Sequence, residues 1–192
     1  MYAGTAFSPI AVFGGLWGDP FIGEAYNLSP THSASLVSLV FLGLAVGAPI
    51  LGYISDKTSA RKKIMLYGTM LSFFSITTVI YLNQLPVWFV GALLFAFGFG
   101  IGGYMLGFTI GKELNPIALS ATIIAMINSG DAIMGAFTEP MIGKFLDLGW
   151  DNTIVNGARH FSLHDFHISF LIIPFYLLIA TVLVFFIKEK RA

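Results

Sequence analysis

Cysteine is absent from the chain, which excludes a disulfide framework and every thiolate-bound metal site. Charge is nearly as scarce. Ten Lys/Arg and ten Asp/Glu make up 10% of the 192 residues, where a soluble domain carries about 25%, and so few charges cannot solvate a globular surface. The two signs cancel to a net charge of zero, so the sum names no partner, and nucleic acid is not expected as one. No Gly-x-Ser-x-Gly, His-Glu-x-x-His or phosphate-binding glycine loop occurs. Serine hydrolysis, zinc proteolysis and ATP-driven pumping are left without support. The chain is expected to be no enzyme and to need neither cofactor nor metal.

What is there is apolar: 56% of the residues are hydrophobic, with 19 Phe and 21 Gly. They gather into six stretches near the ~20 residues that cross ~30 Å of hydrocarbon, over residues 3–22, 33–54, 64–82, 87–110, 117–145 and 166–187. A transmembrane strand needs only ~10 residues and alternates in polarity. The pattern therefore predicts an all-α membrane protein of six transmembrane helices, with membrane lipid as its surroundings. No long linker interrupts it, so residues 1–192 read as one domain. Ser29-Pro30 and Asn115-Pro116 each set a capping side chain before a first-turn proline. Ser162-Leu163-His164-Asp165 resembles a capping box ahead of the sixth span, and Pro86 opens the fourth after the turn Asn83-Gln84-Leu85.

Cations set the orientation, because basic residues stay on the inner side. With the first span starting inside, the cytoplasmic segments hold Lys57, Arg61, Lys62, Lys63, Lys112, Lys188, Lys190 and Arg191, against Lys144 and Arg159 outside. The expectation is a multi-pass protein of a bacterial inner (plasma) membrane with a cytoplasmic C-terminus. Met1 leads almost directly into an apolar helix with no basic flank and no cleavage site, unlike a signal peptide. Such a start suits a first helix inserted as a hairpin with the second, or, as favoured here, a chain beginning inside a longer protein.

Between the second and third spans runs Gly52-Tyr53-Ile54-Ser55-Asp56-Lys57-Thr58-Ser59-Ala60-Arg61-Lys62-Lys63. A plain positive-inside loop accounts for the cations but not for Gly52 or Asp56. Here the chain resembles the major facilitator superfamily over its whole length. That family's signature is a Gly, three residues, Asp, a basic residue, then a short turn and a basic cluster, matched by Gly52, Asp56, Lys57 and Arg61-Lys62-Lys63. One extra residue precedes the cluster, and Ser59-Ala60 replaces the usual turn glycine. The resemblance implies a half bundle of three helices plus an inverted three, within a twelve-helix secondary transporter that works by alternating access. It implies a small-molecule substrate and, as partner, a second six-helix half or a second copy of this chain. The fourth span lacks the Arg common in N-terminal halves. Glu139 to Asp147 resembles the end of an eleventh helix, and Ile187-Lys188-Glu189-Lys190 the family's usual finish, so the C-terminal half is expected. By resemblance, the stretch is a gating loop in which Asp56 docks on the positive end of a helix in the opposite half, with Lys57 and Arg61 as supporting charges.

Ionisable groups at bilayer depth cost at least ~2.5 kcal/mol each on insertion scales and ask for a reason. Asp131 lies mid-way along the fifth span. Asn128, Asp131, Gly135 and Glu139 fall within about 80° of one helix face at 100° per residue, a stripe suited to a cavity or another helix. Asp19 sits in the outer part of the first span, before Pro20. Asp131, Glu139, Asn128 and Asp19 are the candidate proton or substrate groups. In the functional reading Asp131 is a proton-coupling or cation-binding carboxylate; in the structural one it fastens two helices. The pairs Gly14/Gly18, Gly43/Gly47, Gly98/Gly102, Gly103/Gly107 and Gly107/Gly111 have the small-xxx-small spacing of close helix contact. His160, His164 and His167 read as a solvated interfacial loop rather than a metal site. Two rival readings stand beside the transporter: a membrane fragment that transports nothing without its second half, and an intramembrane aspartyl protease. The latter has only Asn128-Ser129-Gly130-Asp131 in its favour and no second aspartate motif.

Overall fold

The structure, a computed structural model, describes residues 1–82, 84–155 and 157–187. Asn83 of the predicted turn and Lys188, Lys190 and Arg191 of the predicted cytoplasmic end lie outside the described residues. Six helical stretches follow one another, as the apolar runs predict. α1 comprises Tyr2–Val12, a π-helical stretch Phe13–Trp17 and Gly18–Tyr26. α2 is Pro30–Thr58 and α3 is Arg61–Tyr81. α4 runs Val87–Ile101, through a 3-10 stretch Gly102–Met105, to Leu106–Glu113. α5 is Ser120–Gly149 after a 3-10 turn Ile117–Leu119. α6 is Leu163–Ser169 and Ile172–Phe186. Among the described residues, five of these are long and apolar enough to cross a bilayer, and α1, interrupted by its π-helical stretch, is not among them. Several helices run past the apolar runs, because polar end residues stay helical at the lipid headgroups. α2 begins three residues before Ser33, capped by Ser29, whose Oγ accepts from the His32 amide at 3.4 Å.

The interruptions have local causes. Pro20 has no amide hydrogen for the Leu16 carbonyl, and the helix widens to π geometry over Phe13–Trp17, immediately before it. Pro174 likewise leaves the Phe170 carbonyl without its helical partner. α6 breaks there and is bridged by the shorter-range bonds Leu171 N to Ile168 O (3.2 Å) and Ile173 N to Phe170 O (3.0 Å). The predicted capping box is present: Ser162 Oγ accepts from the Asp165 amide (3.3 Å) and Asp165 Oδ2 from the Ser162 amide (3.0 Å). Asn115 does something else. Its Nδ2 donates to the Gly111 carbonyl at 2.8 Å, closing the end of α4 instead of opening α5.

α4 is central. Its Gly98 and Gly102 meet Gly43 and Gly47 of α2 so closely that a Cβ on Gly98 would collide with the Val40 carbonyl, and one on Gly47 with the Phe99 carbonyl. Two of the small-residue pairs read from the sequence thus pack against each other. α3 ties to α4 through Ser72 Oγ, which donates to the Phe97 carbonyl at 2.8 Å. Towards the outer end, Phe13, Phe21, Phe97, Phe166 and Phe170 form a buried aromatic cluster with mainly edge-on contacts at 5.3–6.4 Å. A two-stranded ribbon, β1 (Ile154–Val155) with β2 (Ala158–Arg159), forms within the loop between α5 and α6. Asp147 binds Arg159 at 2.5 Å, and the guanidinium lies 4.6 Å over the Trp150 ring. No apolar alternation announces so short a ribbon.

Candidate functional site

α5 buries one narrow stripe: Asp131, Gly135, Thr138, Ile142 and Leu146. Half-buried residues flank it, and the far face is bare, with Met126, Phe137 and Leu148 each more than 70% exposed. Beside the stripe lies an open cleft of about 540 Å³, lined by Asn128, Asp131, Ala132, Gly135, Ala136 and Glu139 from α5, Phe7 and Ala11 from α1, and Tyr104 from α4. Helical spacing is what aligns the α5 residues. The structure therefore brings Asn128, Asp131, Gly135 and Glu139 to one wall, as their spacing predicts. Asp131 is 8% exposed, and its buried Oδ1 has no hydrogen-bond partner. Asn128 is exposed and Glu139 half-buried; the Glu139 carbonyl accepts from Trp17 Nε1 at 3.3 Å. Among the described lining residues there is no Lys, Arg or His.

Asp19 is not part of this arrangement. It is exposed and lines a separate outer pocket of about 280 Å³ with Pro20, Gly23, Glu24, Leu28, Pro30 and Ser33. What α1 brings to the Asp131 cleft is apolar, Phe7 and Ala11. Sequence reasoning also missed the clamp behind the cleft. Thr138 Oγ1 donates to the Met134 carbonyl (2.6 Å) and receives Ser8 Oγ (3.2 Å), with Tyr176 Oη at 3.3 Å. One hydroxyl joins α1, α5 and α6. Only the i−4 carbonyl was readable from spacing.

On the opposite side of the bundle from the ribbon, Arg61 organises the signature loop. Its Nε and Nη2 reach Glu113 Oε2 (3.0 Å) and Oε1 (2.6 Å) as a two-pronged pair. Nη1 donates to Asp56 Oδ1 at 2.7 Å. The ends of α2, α3 and α4 are thereby joined. Glu113 was not among the expected residues; its signal was an acid at the end of the fourth span on the side of the basic loop. Lys62 Nζ donates to the Phe185 carbonyl at 2.6 Å, closing the end of α6, while Lys57 and Lys63 are exposed. Ser59, of the Ser59-Ala60 turn, adopts left-handed φ 52°. The Asp56 side chain is 70% exposed, and a Cβ on Gly52 would meet nothing within 4 Å. Among the described residues no cluster of three or more His, Asp or Glu could hold a metal ion. His160 instead pairs with Glu24 at 2.8 Å.

Comparison with known proteins matches this arrangement to a family. The family model for the Major Facilitator Superfamily matches residues 2–192. A hexuronate transporter of Bacillus subtilis is 30% identical over 175 residues, covering 89% of this chain and 37% of that protein. An uncharacterized MFS-type transporter of the same organism, YfiU, is 32% identical over 133 residues, covering 67% and 24%. The inward-open xylose transporter XylE from E. coli has the same fold, with a TM-score of 0.72 at 15% identity over 98% of this chain and 47% of that one. The chain thus spans less than half the length of each of these proteins. They are transporters, and an aspartyl protease has no place among them. A multi-pass, all-helical membrane protein with this signature loop and this match over nearly every residue belongs to the Major Facilitator Superfamily.

Proposed function

We propose that the chain forms the C-terminal half of a secondary active transporter that moves a small solute by alternating access, coupled to protons through Asp131. The supporting observation is a buried carboxyl whose Oδ1 has no partner, on the wall of a cleft that stays open among the described residues. Such a group has no structural bond on that oxygen to lose when it takes up or gives off a proton. Glu139, some 12 Å further out along the helix at 1.5 Å per residue, is the next acid on the same wall. The loop of Gly52, Asp56, Lys57, Arg61, Lys62 and Lys63 acts as the gate, with Arg61 and Glu113 holding Asp56 ready for a helix of the opposite half. Orientation follows the cations, with that loop and the C-terminus in the cytoplasm and the protein in a bacterial inner membrane.

The second half, or a second copy of this chain, docks on the bare faces of α2 and α5. On its own the chain is then a membrane fragment that transports nothing, a reading favoured by the exposure of Phe137 and Leu148 on α5 and Tyr53 on α2. The hexuronate transporter makes a hexuronate the first solute to try. Its carboxylate would have to find a counter-charge outside this wall, which offers none. The test is proton-gradient-driven uptake in proteoliposomes holding the assembled transporter. Asp131→Asn is expected to abolish it while leaving membrane insertion and pH-independent solute exchange intact. Full gradient-driven uptake by that variant would remove Asp131 from the coupling.

A further inference from the structure

Two consecutive residues of the loop between α5 and α6 reach for different helices. Arg159 binds Asp147 near the end of α5 and lies over the Trp150 ring. His160, next in the chain, places Nε2 2.8 Å from Glu24 Oε2 on the last part of α1. The loop that carries them is stiffened from within, because Trp150 Nε1 and the His160 amide both donate to the Thr153 carbonyl, at 2.9 and 3.0 Å. α1 and α5 also supply all the lining of the cleft but Tyr104. The two side chains therefore tie the main cleft helices together at the ribbon end. Between Glu24 and the cleft residues Phe7 and Ala11 lies the π-helical stretch Phe13–Trp17, a kind of interruption at which helices bend.

The two ties differ in chemistry. A guanidinium keeps its charge at every pH a protein meets, so the Arg159 tie is permanent. Imidazole changes charge between about pH 5 and 8, and the His160 and Glu24 side chains are 38% and 33% exposed, within reach of protons from solvent. The groups facing His160 are Glu24 from α1 and, in the loop itself, Asp151. Hydrogen bonds from Thr153 hold the Asp151 carboxyl below the usual carboxylate range, and the His160 charge adds to this. Asp19 lines the pocket beside Glu24. On α6, Asp165 is engaged in its capping box and His164 is exposed; on α2, His32 is bonded to Ser29.

We propose that His160 and Glu24 form a proton-set latch that holds the end of α1 to the loop carried by α5 in acid and lets it go as pH rises. The attraction needs a protonated imidazole and an ionised carboxylate. It is complete between the ordinary carboxylate range, near about pH 4, and the ordinary imidazole range, near about pH 6.5, and it fades above the latter. Above that range a neutral imidazole can still share a hydrogen bond with Glu24, but the charge attraction is gone. Release leaves Gly18–Tyr26 tied to its surroundings by contacts that do not titrate in this range, such as Phe21 against Phe166 and Phe170.

The test is hydrogen exchange of the purified chain in lipid nanodiscs, with each variant compared to the parent at the same pH so that the pH dependence of the exchange chemistry cancels. At about pH 5.5 the segment Gly18–Tyr26 is expected to exchange about two- to fivefold faster in His160→Gln than in the parent, the effect of one partly exposed ion pair. At about pH 8 the two are expected to coincide. His160→Lys, charged at both pH values, is expected to keep the segment protected at both. Glu24→Gln reads the pair from its other side and is expected to match His160→Gln. Salt at about 1 M is expected to shrink the difference. A His160→Gln effect of equal size at the two pH values, no effect at either, or a Glu24→Gln variant that behaves as the parent would overturn the proposal. No transport is read, so either outcome stands apart from the coupling role of Asp131.

Discussion

α4 and α5 are neighbouring helices of similar length and apolar character, yet they meet their surroundings differently. In the first half of α4 the buried residues Val90, Gly91, Leu94, Phe97, Gly98, Gly100 and Ile101 cover about half the circumference. On α5 the buried residues Asp131, Gly135, Thr138, Ile142 and Leu146 cover only about 80°. Among the described residues α4 is packed over half its girth and α5 on one stripe. The polar groups follow the same division. α4 carries no acid between Val87 and Gly111, whereas α5 places Asn128, Asp131 and Glu139 along its open cleft. A helix that packs on one stripe and presents carboxyls beside it leaves the surface on which the proposed second half would dock.

Glycines give the largest effect that can break this contrast. Gly98→Ala pushes a methyl into the Val40 carbonyl and is expected to destabilise the fold by about 2–3 kcal/mol. Gly130→Ala, where a Cβ meets nothing within 4 Å, is expected to stabilise it by about 0.5–1 kcal/mol through helix propensity. Thermal unfolding in one detergent measures both, and equal effects would erase the distinction between the two helices. Arg61→Met is next. It leaves Glu113 and Asp56 without their shared partner, and a loss of about 1–2 kcal/mol is expected at low salt, shrinking as salt screens the loop. Thr138→Val removes the hydroxyl joining Ser8, Tyr176 and the Met134 carbonyl. Its expected cost is about 1 kcal/mol, with faster hydrogen exchange along α5 and little change on α4. Smallest is Ser59→Gly, which relieves a left-handed residue and is expected to add about 0.5 kcal/mol.

Much of this was open to reading because two periodicities are local. Apolar runs of bilayer length mark the six helices, and the 100° step aligns Asn128, Asp131, Gly135 and Glu139 without any tertiary information. Partners distant in sequence were closed to it. Arg61 finds Glu113 52 residues away, and Ser8 finds Thr138 130 residues away, separations at which spacing carries no signal. Asp19 was grouped with Asp131 by burial depth alone. Depth does not fix direction, and Asp19 faces the outer pocket instead. Asn115 resembled an N-cap because its neighbour is proline, but its amide reaches back to the last turn of α4. The same residue type serves either helix end, and only the fold selects one.

The account turns on the cleft beside Asp131 being a watery surface while the outer sides of α3 and α6 face lipid. With no native cysteine to interfere, single thiols can be placed by Gly135→Cys and Ala136→Cys in the cleft, and by Phe74→Cys on α3 and Phe175→Cys on α6. Labelling with a membrane-impermeant maleimide in native membranes is expected to modify the two cleft positions and to spare the two lipid-facing ones. Cleft thiols that stay unmodified while Phe74→Cys or Phe175→Cys reacts would contradict the assignment of α5 as the wall of a transport path.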